Sequence, residues 1–195
     1  MKLDYSFYRR EDVTAIARDL LGKELITQIS GVVTSGIIVE TEAYSWREKG
    51  CHAYNNKKTP RNEVMFESGG LSYVYLCYGI HHLFNVVTNS TNKADAVLVR
   101  ALEPAQGAKF MLKRINARSI QRITSGPGKL TKALGINRKH NGIDLVNSQI
   151  WIEDSGKSIS GDQIDASARI GIDYAGDDAL LPWRFTIRNN PWISR

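Results

Sequence analysis

Two glutamates, Glu40 and Glu42, are separated by one residue in the segment GIIVETEAY. Alternate side chains of a strand point to the same face, so an extended segment places both carboxylates, and Tyr44 after them, on one side. A carboxylate beside a buried apolar run serves either as a salt-bridged structural group or as a general base. Two carboxylates this close would also suit a sugar hydrolase, in which two acids flank the scissile bond.

Several tyrosines follow in a second segment, SYVYLCYGIHHLFNVV, whose two apolar and aromatic halves flank Gly79. This pattern predicts a β-hairpin with Gly79 in its turn, in which Tyr73 and Tyr75 share one face. Tyrosines inside strands usually pack against their neighbours. Tyr78 falls at the tip, where it has nothing to pack against, and an exposed aromatic tip indicates insertion into a partner such as a DNA base stack.

Arg100 and His52 are the other candidates for chemistry. Arg100 lies among valines and leucines in AVLVRALEP, where a strand arginine must be paired, most simply with a carboxylate. His52 lies in a polar loop, where it is either a structural hydrogen-bonding residue or a functional one. His81 and His82 are adjacent and would point in opposite directions from a strand, and the chain has no Cys-x-x-Cys motif, so we expect no metal site.

Positive charge is concentrated in one part of the chain. The 195 residues carry 26 Lys and Arg against 20 Asp and Glu, a net charge of +6. Residues 107–142 hold nine of these basic residues and no acidic one, which leaves 17 basic against 20 acidic residues, a net charge of −3, elsewhere. Such a segment favours a polyanionic partner, nucleic acid first, although a solvated helix face is the structural alternative. We call this segment the basic window; it contains Lys109, Lys113, Arg114, Arg118, Arg122, Lys129, Lys132, Arg138 and Lys139.

The remaining pattern defines the elements that position these residues. We predict helices over 12–21, 105–116 and 129–134, strands over 24–29, 32–44 and 96–102 besides the hairpin, and further strands after residue 143, including RFTIRNNPWIS. The strand over 96–102 should end at Glu103-Pro104. The helices and strands do not alternate regularly as in a doubly wound sheet. We therefore expect one α+β domain over residues 1–195, with a curved, largely antiparallel sheet, a protruding β-hairpin and surrounding helices.

Taken in order, these segments resemble the alkyladenine (3-methyladenine) DNA glycosylase family. The resemblance covers roughly residues 5 to 194. Its motifs are VETEAY, CHAYNNKKTPRN, MF at Met65-Phe66, SYVYLCYGIHHLFNVV, AVLVRALEP, SGPGKLTKALGI, and RIGI with PWRFTIRNNPWIS near the end. The family hydrolyses the N-glycosidic bond of alkylated and deaminated purines in DNA, with a flipped nucleotide, a water nucleophile and no metal or cofactor. This chain resembles the compact core of the family, without a long N-terminal extension.

The resemblance implies a role for each matching residue. Glu42 matches the general base that activates the water, Arg100 matches the arginine at that water, and the backbone carbonyl of Ile170 matches its third contact. The base-binding residues are implied in the same way. Tyr44 and Tyr75 sandwich the flipped base, His52 stacks beside it, Asn85 screens out normal guanine, and Tyr78 fills the vacated place in the duplex. Glu40 and Tyr73 have no such role and stay structural.

The sequence also limits the partners and the reaction type. We expect a monomer that acts on double-stranded DNA with damaged purines and has no membrane-spanning helix. With no apolar signal region at the N-terminus, we expect a cytoplasmic, nucleoid-associated protein if the source is bacterial. The catalytic motifs contain no lysine, so we expect no lyase activity. A non-catalytic nucleic-acid-binding module is the alternative; a carbohydrate hydrolase that uses Glu40 and Glu42 does not explain the basic window.

Overall fold

The long apolar runs of the chain form an antiparallel sheet in this computed structural model, which describes residues 1–154 and 156–194. Six strands run in the spatial order β3-β4-β5-β2-β1-β6, and β8 pairs with both β2 and β7. The predicted α+β class, with a largely antiparallel sheet, is confirmed. The strands are β1 Glu24–Ile29, β2 Val32–Tyr44, β3 Ser72–Cys77, β4 His81–Thr88, β5 Asp95–Gln106, β6 Ile150–Glu153, β7 Ile164–Ser167 and β8 Arg184–Ile187.

Irregular pairing between β2 and β5 sets the direction of the Arg100 side chain. Glu40 pairs with Ala101 and Thr41 pairs with Val99, so Arg100 is an extra residue on β5. Such a β-bulge bends the strand and re-aims the side chain at that point. The same stretch of β2, Glu40 to Glu42, pairs on its other edge with β8. The two glutamates and Arg100 therefore lie at the centre of the sheet.

Four α-helices and several 3₁₀ turns surround the described part of the sheet. Asp12 caps the second helix by accepting hydrogen bonds from the backbone N–H groups of Thr14 and Ala15. The helices are α1 Tyr5–Tyr8, α2 Val13–Asp19, α3 Ala108–Ile115 and α4 Pro127–Leu134. The 3₁₀ turns are Tyr54–Asn56, Glu63–Phe66, Arg138–His140, Gly161–Gln163 and Asp173–Leu180.

Two apolar clusters fill the interior. The larger packs α2, α3 and α4 on the sheet and contains Ile16, Leu20, Ile38, Val99, Leu102, Met111 and Leu130. The smaller holds the loop after β2 against the hairpin and contains Cys51, Ala53, Met65, Phe66, Tyr73 and Val87. The loop that carries His52 is therefore anchored by buried side chains, although it has little regular secondary structure.

Three predicted boundaries were wrong. The strand over 96–102 does not end at Glu103-Pro104, because β5 continues to Gln106 and α3 begins only at Ala108. Pro104 pairs with Gly36 next to a register shift, and a bulge is a place where a strand tolerates proline. RFTIRNNPWIS is a strand only as far as Ile187.

No helix within residues 1–154 and 156–194 is long and apolar enough to cross a bilayer.

Candidate active site

A pocket of about 380 Å³ opens between the hairpin, the ends of β2 and β5, and the segment after β7. This volume lies in the range of sites for small ligands. Segments that are distant in the sequence form the pocket wall, since residues near 50, near 75 and near 170 meet there. The predicted site residues that line it are Tyr44, His52, Tyr75, Tyr78, Asn85, Arg100 and Ile170.

The carboxylate of Glu42 is fully buried directly beneath this pocket. Its Oε1 accepts a hydrogen bond from the backbone N–H of Ile170 at 2.8 Å. Its Oε2 accepts from the Tyr44 hydroxyl at 2.7 Å and from Arg100 Nη1 at 3.2 Å. All three donors border the pocket, so they separate the carboxylate from the pocket space. Burial, and next the charge of Glu42, raises the pKa of Tyr44 well above its ordinary value, which keeps the hydroxyl a neutral donor.

Glu40 is saturated by hydrogen-bond donors. Arg100 Nε donates to Oε1 at 3.0 Å and Arg184 Nε donates to the same atom at 2.7 Å. The backbone N–H of Ser194 donates to Oε2 at 2.7 Å, and its hydroxyl donates to Oε1 at 2.8 Å. Burial lowers the pKa of Arg100, but the charges of the two glutamates outweigh it and the net shift is upward, so the guanidinium stays charged. These bonds are those of a structural carboxylate that fixes Arg100.

The rings of His52, Tyr73 and Tyr75 form an aromatic part of the pocket wall. The ring of His52 lies 4.7 Å from that of Tyr75, centroid to centroid, at 69°. Its Nδ1 is 2.9 Å from the Tyr73 hydroxyl, so Tyr73 both lines the pocket and fixes His52. His52 is exposed at one side, but desolvation of its ring against Tyr73 and Tyr75, and then the positive charge of Arg61, lowers its pKa to about 4, so the imidazole is neutral at pH 7. Burial raises the pKa of Tyr73 to about 12.

Asn85 projects from β4 into the same pocket. It is 4% exposed, and its Nδ2 donates to the backbone carbonyl of Tyr73 at 3.1 Å. This bond fixes the orientation of the amide. Asn85 pairs with Tyr73 across the hairpin, so the strand register sets its position relative to the aromatic wall.

The hairpin tip carries two exposed apolar side chains. Tyr78 is 88% exposed and Ile80 is 72% exposed. The turn closes with a 3.0 Å bond from the Ile80 N–H to the Cys77 carbonyl, and its central residues, Tyr78 and Gly79, have φ values of +49° and +72°. Positive φ suits Gly79 but is uncommon for a bulky residue such as tyrosine. The fold thus holds a large ring in solvent at a local conformational cost.

The basic window divides into inward and outward members. Arg114 is half-buried and donates from Nη1 to the Thr34 hydroxyl at 3.1 Å and to the Ala133 carbonyl at 2.9 Å. Lys132 is exposed in a groove beside His81 and His82, next to the hairpin turn, and Arg114 lines the inner part of the same groove. The start of α4 comes this close because Gly128 has no side chain: a Cβ there would lie 2.7 Å from the His81 ring. None of the nine residues forms a salt bridge within the described part of the chain.

Sequence reasoning missed a buried ion pair behind the pocket. Arg169 Nη1 and Nη2 each lie 2.7 Å from an oxygen of Glu48, and Nη1 also donates to the Ala43 carbonyl at 2.9 Å. The guanidinium carbon lies 4.7 Å from the centre of the Tyr44 ring. The only signal in the sequence was that Arg169 immediately precedes Ile170.

The described residues contain no group of three or more His, Cys, Asp or Glu side chains that could hold a metal ion.

Comparison with known proteins identifies the family. A family model for methylpurine-DNA glycosylase matches residues 6–191. The chain belongs to the methylpurine-DNA glycosylase family. It is therefore a DNA glycosylase, a hydrolase of N-glycosyl bonds, and the predicted family and enzyme class are confirmed.

Relatives match the glycosylase chain along its whole length. A protein of Chlamydia felis is 48% identical over 188 residues, which cover 95% of each chain. A protein of Natranaerobius thermophilus is 46% identical and covers 100% of this chain and 99% of its own, and one of Carboxydothermus hydrogenoformans is 44% identical over 100% of both. All three carry the name "Putative 3-methyladenine DNA glycosylase".

Proposed function

We propose that this glycosylase flips alkylated or deaminated purines out of duplex DNA and hydrolyses the N-glycosidic bond with a water that Glu42 activates. The substrates in this proposal are 3-methyladenine, 7-methylguanine, hypoxanthine and ethenoadenine. One observation carries it: a buried carboxylate, held by three donors, lies directly beneath a pocket with aromatic walls. One domain, residues 1–195, acts as a monomer.

Glu42 keeps an acceptor position for a water. Its two oxygens offer about four acceptor positions, three are in use, and Oε1 accepts only from the Ile170 N–H. In this proposal the water donates to Oε1, its oxygen attacks C1′, the glycosidic bond breaks, the electron pair of that bond leaves with the base, and the water proton passes to Glu42. Arg100 stays anchored on Glu40 during this step, and the carbonyl of Ile170 serves as the third contact of the water. A general base of this kind contributes about 10²- to 10⁴-fold to the rate.

Base binding follows from the walls of the pocket. Tyr44 and Tyr75 hold the flipped purine between their rings, and His52 stacks beside it. His52 is neutral at pH 7, so the cationic rings of 3-methyladenine and 7-methylguanine meet no repulsion from it. The buried amide of Asn85 excludes the exocyclic amine of normal guanine. A neutral lesion such as hypoxanthine leaves as an anion unless it is protonated.

The hairpin tip compensates for the missing base. Enzymes that act on a base inside a duplex must extrude it, at a cost of a few kcal/mol. Tyr78 offsets part of this cost by stacking in the vacated position, which its exposure at the turn supports. Stacking of a base on an aromatic side chain contributes about 1–3 kcal/mol. The outward members of the basic window bind the phosphates on either side.

The enzyme is monofunctional in this proposal. Lyase activity requires an amine nucleophile near C1′, and no lysine lines the pocket among the residues that the structure describes. The family match favours catalysis over a module that only binds nucleic acid, because such a module has no use for a buried carboxylate beneath the pocket.

Incubation with single-lesion duplexes tests the proposal. Labelled duplexes with one 7-methylguanine, hypoxanthine or ethenoadenine are treated with the protein and then with hot alkali, which cleaves abasic sites. We expect more cleaved product from each lesion duplex than from the same duplex incubated without the protein, because hot alkali itself cleaves at 7-methylguanine, and we expect none from an undamaged duplex of the same sequence. Without alkali the lesion strand should stay intact. No excess cleavage of any lesion duplex after alkali would overturn the proposed substrates, and cleavage without alkali would overturn the monofunctional assignment.

A further inference from the structure

A buried cation lies behind one wall of the pocket. The guanidinium carbon of Arg169 is 4.7 Å from the centre of the Tyr44 ring and 5.3 Å from that of Trp183. The Arg169 side chain is 0% exposed and does not border the pocket, whereas Tyr44 does. Arg169 therefore covers the face of the Tyr44 ring that is turned away from the pocket.

Hydrogen bonds and an ion pair connect the loop around residue 50 to the guanidinium of Arg169. Glu48 pairs with Arg169 through both oxygens at 2.7 Å and also accepts a 2.7 Å bond from the Gly50 N–H. A side chain at Gly50 would meet Glu48 Oε2 at 2.8 Å and Arg169 Nη2 at 3.2 Å, so glycine permits this close packing. The carbonyl of Asp178 accepts from Arg169 Nη2 at 3.1 Å. The charge behind Tyr44 is thus fixed in position, and Glu48 partly neutralises it.

A cation on one face of an aromatic ring changes what the other face binds. The electron-rich faces of the ring attract cations, and a guanidinium that already uses one face repels a second cation across the ring. A purine methylated at a ring nitrogen is cationic, whereas hypoxanthine and ethenoadenine are neutral. Tyr44 should therefore hold a cationic base less strongly, relative to a neutral one, than a tyrosine without Arg169 would.

We propose that Arg169 and Glu48 together determine the balance between cationic and neutral damaged purines, with Arg169 acting through the ring of Tyr44. This inference rests on the proposed function, in which Tyr44 contacts the flipped base. Arg169 is a positioning residue, because it touches the wall and not the substrate. It adjusts the lesion spectrum of the enzyme while Glu42 and Arg100 carry out hydrolysis.

Competition between two lesions in one reaction tests the inference. A 7-methylguanine duplex and an ethenoadenine duplex with different labels are mixed, and the ratio of their kcat/KM values is taken from the two product yields. This ratio does not depend on the fraction of the enzyme that is folded. The variants are Glu48→Gln alone and Glu48→Gln combined with Arg169→Met. Arg18→Met is the matched control, since it removes a guanidinium that lies 4.3 Å over the Phe185 ring, away from the pocket.

The two variants should move the ratio in opposite directions. Glu48→Gln leaves the positive charge uncompensated, so the ratio should shift toward ethenoadenine. The double variant removes that charge, so the ratio should shift toward 7-methylguanine by roughly three- to tenfold. Arg18→Met should keep the wild-type ratio.

The failure of this inference differs from the failure of the proposed function. If wild type excises both bases and both variants keep its ratio, even with lower rates, Arg169 and Glu48 are structural and the inference is overturned. A shift of both variants in the same direction would overturn it as well. If wild type excises neither base, the proposed function itself fails, and the inference with it.

Discussion

The backbone N–H of Ile170 donates a 2.8 Å hydrogen bond to Oε1 of Glu42, although 128 residues separate them in the sequence. The segment after β7 therefore supplies one of the three donors that hold the proposed general base. Arg169, the neighbour of Ile170, anchors this segment to Glu48 and to the carbonyl of Ala43. The position of the base thus depends on the docking of a remote segment as well as on its own strand.

The Ile170 donor can be removed without changing Glu42. Proline at position 170 has no N–H, whereas Ile170→Ala keeps it and shortens only the side chain. Loss of a hydrogen bond to a charged group costs about 1.5–3 kcal/mol, so Ile170→Pro should lower single-turnover excision by roughly ten- to 100-fold. Ile170→Ala should stay much closer to wild type. Equal rates for the two variants, with similar melting temperatures, would show that the N–H does not hold the base.

The lowered pKa of His52 makes the free energy of unfolding depend on pH. Burial and the charge of Arg61 lower the pKa of His52 from its ordinary value of 6.5 to about 4. Between these values the unfolded chain binds a proton at His52 that the folded chain does not, so stability falls as the pH falls from about 6.5 to about 4. The melting temperature of His52→Gln should therefore decrease less between pH 7 and pH 5 than that of wild type. Parallel curves over this range would contradict a neutral, partly buried imidazole.

Local pattern predicted much of the site, and the limit of that prediction has a physical cause. The two-residue period of a strand placed Glu42 and Tyr44 on one face, and their side chains lie 2.7 Å apart. The Gly79 turn predicted the exposed position of Tyr78. Local pattern alone could not predict the bulge at Arg100, the Arg169–Glu48 pair or the bond from Ser194 to Glu40, because each depends on contacts between distant segments. These contacts are set by packing of the whole sheet and not by local propensity.

Substitution of Tyr78 tests the proposal that the enzyme flips the damaged base out of the duplex. Replacement with serine removes the ring that is proposed to fill the vacated stack, so an extruded ethenoadenine should return to the duplex faster, by roughly five- to 150-fold for a stacking contribution of about 1–3 kcal/mol. Stopped-flow fluorescence of ethenoadenine measures this return. Tyr78→Phe, which keeps the ring, is the matched control. The melting temperature of Tyr78→Ser should hardly change, because the side chain is 88% exposed. A return rate like that of wild type would remove Tyr78 from the mechanism.

Salt dependence distinguishes the two kinds of residue in the basic window. Lys132→Gln and Arg114→Gln remove the same charge from the groove beside the hairpin, but Lys132 is exposed whereas Arg114 is half-buried. Counterion release predicts that loss of one phosphate contact reduces the slope of log K against log salt by about one unit. We expect this for Lys132→Gln. Arg114→Gln should keep the wild-type slope and lower the melting temperature, because it loses bonds to Thr34 and Ala133. A wild-type slope for Lys132→Gln would show that Lys132 makes no phosphate contact.

Single-turnover excision by Glu42→Gln on an ethenoadenine duplex tests the central claim most directly. A neutral lesion is the best choice, because a cationic base leaves easily and depends less on an activated water. Glutamine keeps the size of the side chain but is a far weaker base, so excision should fall by at least about 10²-fold, while the variant stays folded at the assay temperature and binds the lesion duplex. Glu63→Gln, at an exposed glutamate outside the pocket, should excise at the wild-type rate. Excision by Glu42→Gln at a rate near that of wild type would show that Glu42 is not the base that activates water.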